Sequence, residues 1–369
     1  MSTASLSHRA ADPRPDETLR FLRASVTAVC NLNCVYCPKD AGMENHVPAG
    51  LRGQRLPTAA YLRAMAAIAQ TGVVGGIAFT GGEPTLNPDL PMLVAAARGW
   101  YRRVELTTNG RMLPERLPEI AEHLDVIKVS LDAADRGLSH AIMRGQRADH
   151  DRALDAIRLA LRAGLTVGVN VVVMRRNLPQ IAAVIRTVAD LHAEADTGTA
   201  YVSLLDLYYT PSTRRLWLQE FVPLDALAGR LADELGDGVE QHRKGCVIRW
   251  FSYGGVQIRV KDSHESTYRG ERCRTCTRYC QEGFYGLKLS VEGWLTPCPT
   301  GAEHLGVHLA AGLDDAGLAE RIAPLAKELT ATTATPDSFQ RFLTSNDITL
   351  DESGRRTLLP LTVLPGIAS

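Results

Sequence analysis

From Phe21 to about Gly236 the chain repeats one pattern: a short apolar run, a polar or glycine-bearing turn, then a longer stretch with apolar residues every three or four positions. The short runs Arg23–Val29, Gly76–Phe79, Val104–Thr108, Val126–Leu131, Val167–Val173 and Tyr201–Leu207 predict six strands. Helical stretches separate them. The clearest is Asp151–Gly164, with leucine and isoleucine at helical spacing. Pro57–Gly72 begins with proline and threonine and ends with glycine, and an alanine-rich helix follows Pro91. Strands alternating with helices predict an α/β fold with a parallel sheet and right-handed crossovers. Six units ending near Gly236 fit a partial (β/α)6 TIM-like barrel better than a closed eightfold one.

The texture then changes. Cys246–Val260 reads as a hairpin turning at Gly254–Gly255, Gly286–Val291 as a strand leading into a Glu–Gly turn, and Leu313–Leu329 as a helix. The predicted organisation is a polar, proline-bearing leader at 1–20, a barrel at 21–240 and a smaller C-terminal domain at 241–369.

Charge excludes some partners. Lys+Arg and Asp+Glu both number 41, so no excess points to nucleic acid or a membrane surface. No apolar run approaches the ~18–20 residues of a membrane span, and the first residues lack a signal-peptide core. The expectation is a cytoplasmic protein in a reducing compartment. There the cysteines gain meaning, because clustered thiols point to metal or redox chemistry before disulfides. Seven of the eight fall into two groups, Cys30/Cys34/Cys37 and Cys273/Cys276/Cys280 with Cys298 following; Cys246 stands alone.

The first group lies in the loop after the first strand, on the carboxyl face of the sheet where active sites collect. Three thiolates in a [4Fe–4S] cube leave one iron open to another ligand. Zinc asks for a fourth ligand nearby, and the nearest histidine, His46, has poor spacing.

The Cys-x3-Cys-x2-Cys spacing, with Tyr36 before the last cysteine, resembles the signature of the radical S-adenosylmethionine (SAM) superfamily. That resemblance implies a cluster on Cys30, Cys34 and Cys37 whose free iron chelates SAM, and a 5′-deoxyadenosyl radical that takes hydrogen from a substrate. It also implies roles for the strand ends. Gly81, Gly82 and Glu83 would hold the methionine amino group, and Tyr36 the adenine. Thr108 and Asn109 on the third strand, with Ser130 and Asp132 on the fourth, would contact ribose and methionine. An external one-electron reductant, flavodoxin or ferredoxin, is implied as partner.

Within the superfamily, FLRASVTAVCNLNCVYC, FTGGEPTL, ELTTNG, VSLDA and GLTVGVNVVV resemble the GTP 3′,8-cyclases of molybdenum-cofactor biosynthesis. The likeness extends over residues 21–180. Arg23 matches that family, but Ala78, Gly168 and Gly286 stand where it carries substrate-binding cations, and Lys288 where it carries an arginine. A triphosphate needs several charge-assisted contacts of about 1.5–3 kcal/mol each, which alanine and glycine do not supply. The expected substrate is therefore a small polar metabolite, a nucleoside, nucleotide or sugar, with fewer phosphates than GTP. Candidate substrate contacts are Arg23, Asn170, Asp206 and Tyr208.

Gly293-x4-Cys298, preceded by Cys273, Cys276 and Cys280, resembles the auxiliary-cluster segment called the twitch, a shortened SPASM domain. This implies a second [4Fe–4S] cluster with three or four cysteine ligands; four thiolates would equally satisfy a structural zinc. Cys246 reads as a hydrogen-atom donor or, more plainly, as a small buried apolar residue. Two other functions compete. A peptide-modifying maturase is weakened by the lack of an added leader-binding domain in 1–20, and an electron-transfer protein without SAM chemistry by the Gly-Gly-Glu placement.

Overall fold

A computed structural model describes residues 19–37, 49–51, 53–210, 212–243, 246–262, 266–273, 276, 281, 283–298 and 305–336. The leader at 1–18 and Cys280 lie outside the described residues. The first half alternates as the apolar periodicity predicts: β1 (Phe21–Ser25), α1 (Thr58–Gln70), β2 (Gly76–Thr80), α2 (Leu90–Trp100), β3 (Arg103–Thr108), α3 (Leu113–Ile120) and β4 (Val126–Ser130). Two helices, α4 (Arg136–Met143) and α5 (Asp149–Arg162), precede β5 (Thr166–Val172); α6 (Ile181–Ala195) and β6 (Thr199–Leu205) follow. Then come α7 (Arg214–Glu220), α8 (Leu224–Leu235), β7 (Val239–Arg243), β8 (Cys246–Tyr253), β9 (Val256–Asp262) and β10 (Ser266–Arg269). The remainder is β11 (Leu287–Leu289), β12 (Trp294–Thr296), β13 (Val307–His308), α9 (Asp315–Thr330) and β14 (Thr333–Pro336).

The six barrel strands run parallel in sequence order, and the sheet does not stop with them. Among the described residues its twelve strands are ordered β13-β12-β11-β1-β2-β3-β4-β5-β6-β9-β8-β7. The hairpin turns where predicted, both glycines taking positive φ (53° and 78°), and β9 adds parallel to β6. At the opposite edge β11 adds parallel to β1. Residues after 240 thus extend both edges of the barrel sheet, which apolar periodicity alone does not reveal. The first strand also differs from the expected Arg23–Val29. It spans Phe21–Ser25, because beyond Val26 the Thr27 and Val29 carbonyls accept from the amides of Gly82 and Glu83 instead of continuing the ladder.

One face of the parallel strands carries Leu22, Ala24, Ile77, Phe79, Val104, Leu106, Ile127, Val129, Val167, Val169, Val202 and Leu204, all buried in the main core under the helices. The other face lines the barrel interior and is polar: Arg23, Ser25, Thr80, Glu105, Thr107, Lys128, Ser130, Asn170 and Ser203 alternate with those core positions. No helix among the described residues is long and apolar enough to cross a membrane.

The β11–β1 seam depends on one residue without a side chain. A Cβ at Gly286 would stand 2.5 Å from the Phe21 carbonyl oxygen, a backbone atom that cannot move without unpairing the strands. Gly286→Ala is expected to destabilise the protein by about 2 kcal/mol or more, with faster amide exchange in both β1 and β11. Wild-type exchange in these strands would count against this account of the seam.

Candidate active site

The cysteine loop is built by backbone contacts. It leaves β1 at Val26, whose amide donates to the Thr80 carbonyl (3.0 Å). Opposite it, Gly81 adopts φ 142°, a conformation open to glycine. Gly82 brings its amide within 2.6 Å of the Thr27 carbonyl, and Glu83 its own within 2.8 Å of that of Val29. A Cβ on Gly82 would meet the Val29 carbonyl oxygen at 2.3 Å. The two glycines therefore let backbone approach backbone, at the chain leading into Cys30. Beyond it, Asn33 and Val35 donate to Met143 and Ile142 at the end of α4, and Cys34, Val35 and Tyr36 pack with Ile142, Met143, Met174, Trp217 and Phe221.

The strand-end side chains continue this framework. Glu83 is buried and well supplied with donors: the Thr85 amide (3.2 Å), the hydroxyls of Thr85 (2.5 Å) and Thr108 (2.6 Å), and the Asn109 amide (2.7 Å). Burial nevertheless raises its pKa. Asn109 donates from its side chain to Asn31 Oδ1 (2.7 Å), beside Cys30. The Tyr36 hydroxyl donates to Asp132 Oδ2 (2.7 Å), and Asp132 Oδ1 accepts from the Val172 amide (2.9 Å). Burial pushes Asp132 up to about 6 despite those two bonds. Residues expected around SAM thus also tie the cysteine loop to β2, β3, β4 and β5. Ser130 and Asn170 are half-buried and adjacent across β4 and β5, and Ser203 extends the row onto β6.

Cys30 and Cys37 are exposed and Cys34 is half-buried. Burial raises the Cys34 thiol, and Asp132, Cys37 and Cys30 raise it further, which places the three sulfurs within electrostatic reach of one another. Among the described residues no three histidine, cysteine or acidic side chains converge on a single metal ion. A cubane spreads its thiolates over different irons, so three cysteines that share one loop without converging on a point can serve it. Ligation must displace the thiol protons that burial retains.

The second cysteine group is part of the same body. Cys273, Cys276 and Cys298 are half-buried, and the charges of Cys298 and Cys276 act on Cys273. Cys280 lies outside the described residues, but Gln281 beside it donates to Asp206 Oδ2 (2.9 Å) and the Leu207 carbonyl (2.9 Å) and accepts from the Tyr209 amide (2.7 Å). Asp206 and Tyr208, on the loop after β6, are thereby fastened to the second cysteine segment. Cys246 opens β8, paired with Arg243.

The barrel interior holds a charge cluster that strand patterning did not single out. Glu105 accepts from Arg103 Nε (2.7 Å) and from Lys128 Nζ. Burial alone would raise its carboxyl, but Lys128 and Arg103 overcome that and hold it at about 2. Arg23, Ala78, Tyr285, Gly286 and Lys288 line the same cavity. The Gly168 position is closed differently, since a Cβ there would meet the Tyr201 ring at 2.4 Å.

A parallel partial barrel with a three-cysteine loop at its carboxyl face defines a class of iron–sulfur enzyme, and comparison with known proteins specifies it. Residues 24–188 match the model of the radical SAM superfamily. The GTP 3′,8-cyclase of Synechococcus elongatus is 36% identical over 283 residues, covering 75% of this chain and 82% of that one. A "Probable GTP 3′,8-cyclase" of Methanopyrus kandleri is 35% identical over 175 residues, 47% of this chain; here the match spans about half (54%) of the relative's length. The fold is also that of Streptococcus suis SuiB bound to its precursor peptide SuiA, with TM-score 0.51 and 16% identity over 84% of this chain and 66% of that one. This chain belongs to the radical SAM superfamily, a class of enzymes, in its GTP 3′,8-cyclase-like branch.

Glu105 titrates with a definite sign. Its folded pKa of about 2 lies below the ordinary 4.5, so its stabilisation is complete above pH 4.5 and lost as pH falls towards 2. Glu105→Gln should cost about 3 kcal/mol at pH 7, removing the carboxylate that Arg103 and the half-buried Lys128 share. The gap to wild type should narrow between pH 4.5 and 2. Denaturant midpoints at pH 7 and pH 3 check this; a gap independent of pH would remove the charge from the explanation.

Proposed function

We propose that this chain reductively cleaves SAM and uses the resulting radical on a small polar metabolite of the nucleoside, nucleotide or sugar class. The observation carrying the reading is the cysteine loop, held by backbone and side-chain contacts at the carboxyl ends of five parallel strands, with Cys30 and Cys37 exposed and Cys34 half-buried. Cys30, Cys34 and Cys37 would hold a [4Fe–4S] cluster which, reduced by flavodoxin or ferredoxin, would supply the electron for reductive cleavage of SAM. The protein's part is placement. Ser130 and Asn170 offer polar groups at the strand ends, and the carbonyls and amides around Gly81 and Gly82 offer others. Tyr36, Asp132, Glu83, Thr108 and Asn109 hold the loop that presents the thiols. Trp217 and Phe221, stacked with ring centroids 4.3 Å apart, pack behind Cys34 and keep water from that side.

Cys273, Cys276 and Cys298, with Cys280, are proposed to hold an auxiliary [4Fe–4S] cluster. Their segment is bound through Gln281 to Asp206, which supports a role facing the substrate.

The relatives' names point to GTP, and three interior positions argue for a different substrate. Where the resemblance expects cations, the chain has Ala78, Gly168 and Gly286. The Tyr201 ring closes the space at Gly168, and the Phe21 carbonyl closes it at Gly286. A substrate with fewer anionic charges than a triphosphate fits this interior.

Anaerobically reconstituted, reduced protein is expected to release 5′-deoxyadenosine from SAM, and Cys34→Ala to abolish the release. Two cubanes correspond to about eight Fe per chain. A fully loaded protein that releases none under dithionite sinks the proposal; about four Fe with one Zn sinks the auxiliary cluster alone.

A further inference from the structure

We infer that Arg111, anchored by Asp149, is a positioning residue for the cluster on Cys30: it strengthens a backbone hydrogen bond to the Cys30 sulfur and so raises the potential at which an electron is accepted from flavodoxin or ferredoxin. The inference rests on the proposed ligation by Cys30, Cys34 and Cys37. It adds two residues, outside the cysteine loop, that set how readily the cluster is reduced.

A single peptide unit links the arginine to the sulfur. The Leu32 amide donates to Cys30 Sγ (3.4 Å), and the carbonyl of the same peptide, that of Asn31, accepts from Arg111 Nη1 (3.3 Å). Burial raises the Cys30 thiol and the Leu32 amide opposes it, so this bond favours the thiolate. A cation at the oxygen end of a peptide polarises its N–H, and hydrogen bonds in series strengthen one another. Hydrogen bonds to the sulfurs are among the terms that set a cluster's potential. They favour the more negative, reduced form, and the positive charge of Arg111 acts in the same direction.

The guanidinium is fixed from its other side. Asp149 Oδ1 lies 3.3 Å from Arg111 Nε, an ion pair without hydrogen-bond angles. Asp149 Oδ2 accepts from the Gln146 amide (2.6 Å). The Asp149 side chain is 7% exposed and that of Arg111 21%, so water screens the pair only in part. Gly145 makes the approach possible: a Cβ there would stand 2.3 Å from both Asp149 Oδ2 and Leu32 Cδ2. The turn between α4 and α5 thus carries Asp149 up against the cysteine loop. Asn109 completes the grip, its Oδ1 accepting from the Arg111 amide (3.0 Å) and its Nδ2 donating to Asn31 Oδ1 (2.7 Å). Arginine suits this place because separate nitrogens of one planar fork meet the Asn31 carbonyl and Asp149, which a lysine cannot do.

The two residues act with opposite sign, and this separates tuning from scaffolding. A redox titration of the cluster-loaded full chain without SAM, followed by electron paramagnetic resonance, reads the signal that Cys34→Ala removes. At one fixed potential the ratio of reduced to oxidised cluster should fall about tenfold in Arg111→Gln, a shift of ~59 mV for one electron. It should rise in Asp149→Asn, which leaves Arg111 less neutralised. Arg111→Lys should recover only part of the loss. Iron content should stay at the wild-type level, and any signal that Cys34→Ala spares should not move. Unchanged potentials, shifts of one sign in both variants, or loss of iron from both overturn the tuning role. Full recovery in Arg111→Lys overturns the route through the peptide. Because SAM is absent from the titration, unchanged potentials with 5′-deoxyadenosine still released from SAM remove only this inference. A loaded wild-type chain with no signal sensitive to Cys34→Ala removes the proposed reaction together with it.

Discussion

The approach of Gly81–Gly82 to residues 27–29 is the constraint on which the site depends. Two backbone hydrogen bonds of 2.6 and 2.8 Å hold the end of β2 against the chain entering the cysteine loop, at a separation no Cβ at Gly82 permits. Once that turn is made, Glu83 points back into the protein, where Thr85, Thr108 and the Asn109 amide surround it. Asn109 then reaches Asn31 beside the first cysteine. The far end of the loop is held separately, by Tyr36 on Asp132 and by the α4 carbonyls. The thiols are thus presented by a frame satisfied within the chain, the condition for a site to be preorganised.

This frame changes the meaning of the Gly-Gly-Glu signature. Read along the chain, it suggests a turn that touches a ligand. In space its first partner is another stretch of the same backbone, and Glu83 is largely occupied by protein donors. The two roles are compatible: a carboxylate offers about four acceptor positions, and Oε2 of Glu83 carries one bond against three on Oε1. Its structural role alone nevertheless explains why substitution there would disturb the cysteine loop.

Much of the barrel was legible because its outward strand faces are strongly apolar. β2 to β6 lie within two residues of their expected ends, and the 254–255 hairpin turns on the two glycines that marked it. The cysteine loop, too, stood out by spacing alone. What escaped was whatever depends on register between distant strands. The runs VELTT and VIKVS read as buried strands, and nothing local says that Glu105 and Lys128 face the same interior; only the offset pairing of β3 with β4 brings them together. The joining of β9 to β6 and β11 to β1 was hidden for the same reason. Gln281 gave no signal, since a single glutamine carries no periodicity.

The residues that hold the cysteine loop and those that line the barrel interior occupy different levels of the same strands. The residues holding the cysteine loop occupy the strand ends, whereas Arg23, Ala78, Glu105 and Lys128 lie within the strands. The inner positions are thus separate from the Gly82–Thr27 contact above them. At Gly168 the packed face of Tyr201 takes the space that a side chain would need. Lys128 brings a half-buried positive charge to β4, and such a charge needs a partner. Glu105 is that partner, and Arg103 offsets its charge in turn. The triad thus places one cation, Lys128, at a set depth on β4 with Glu105 as its partner.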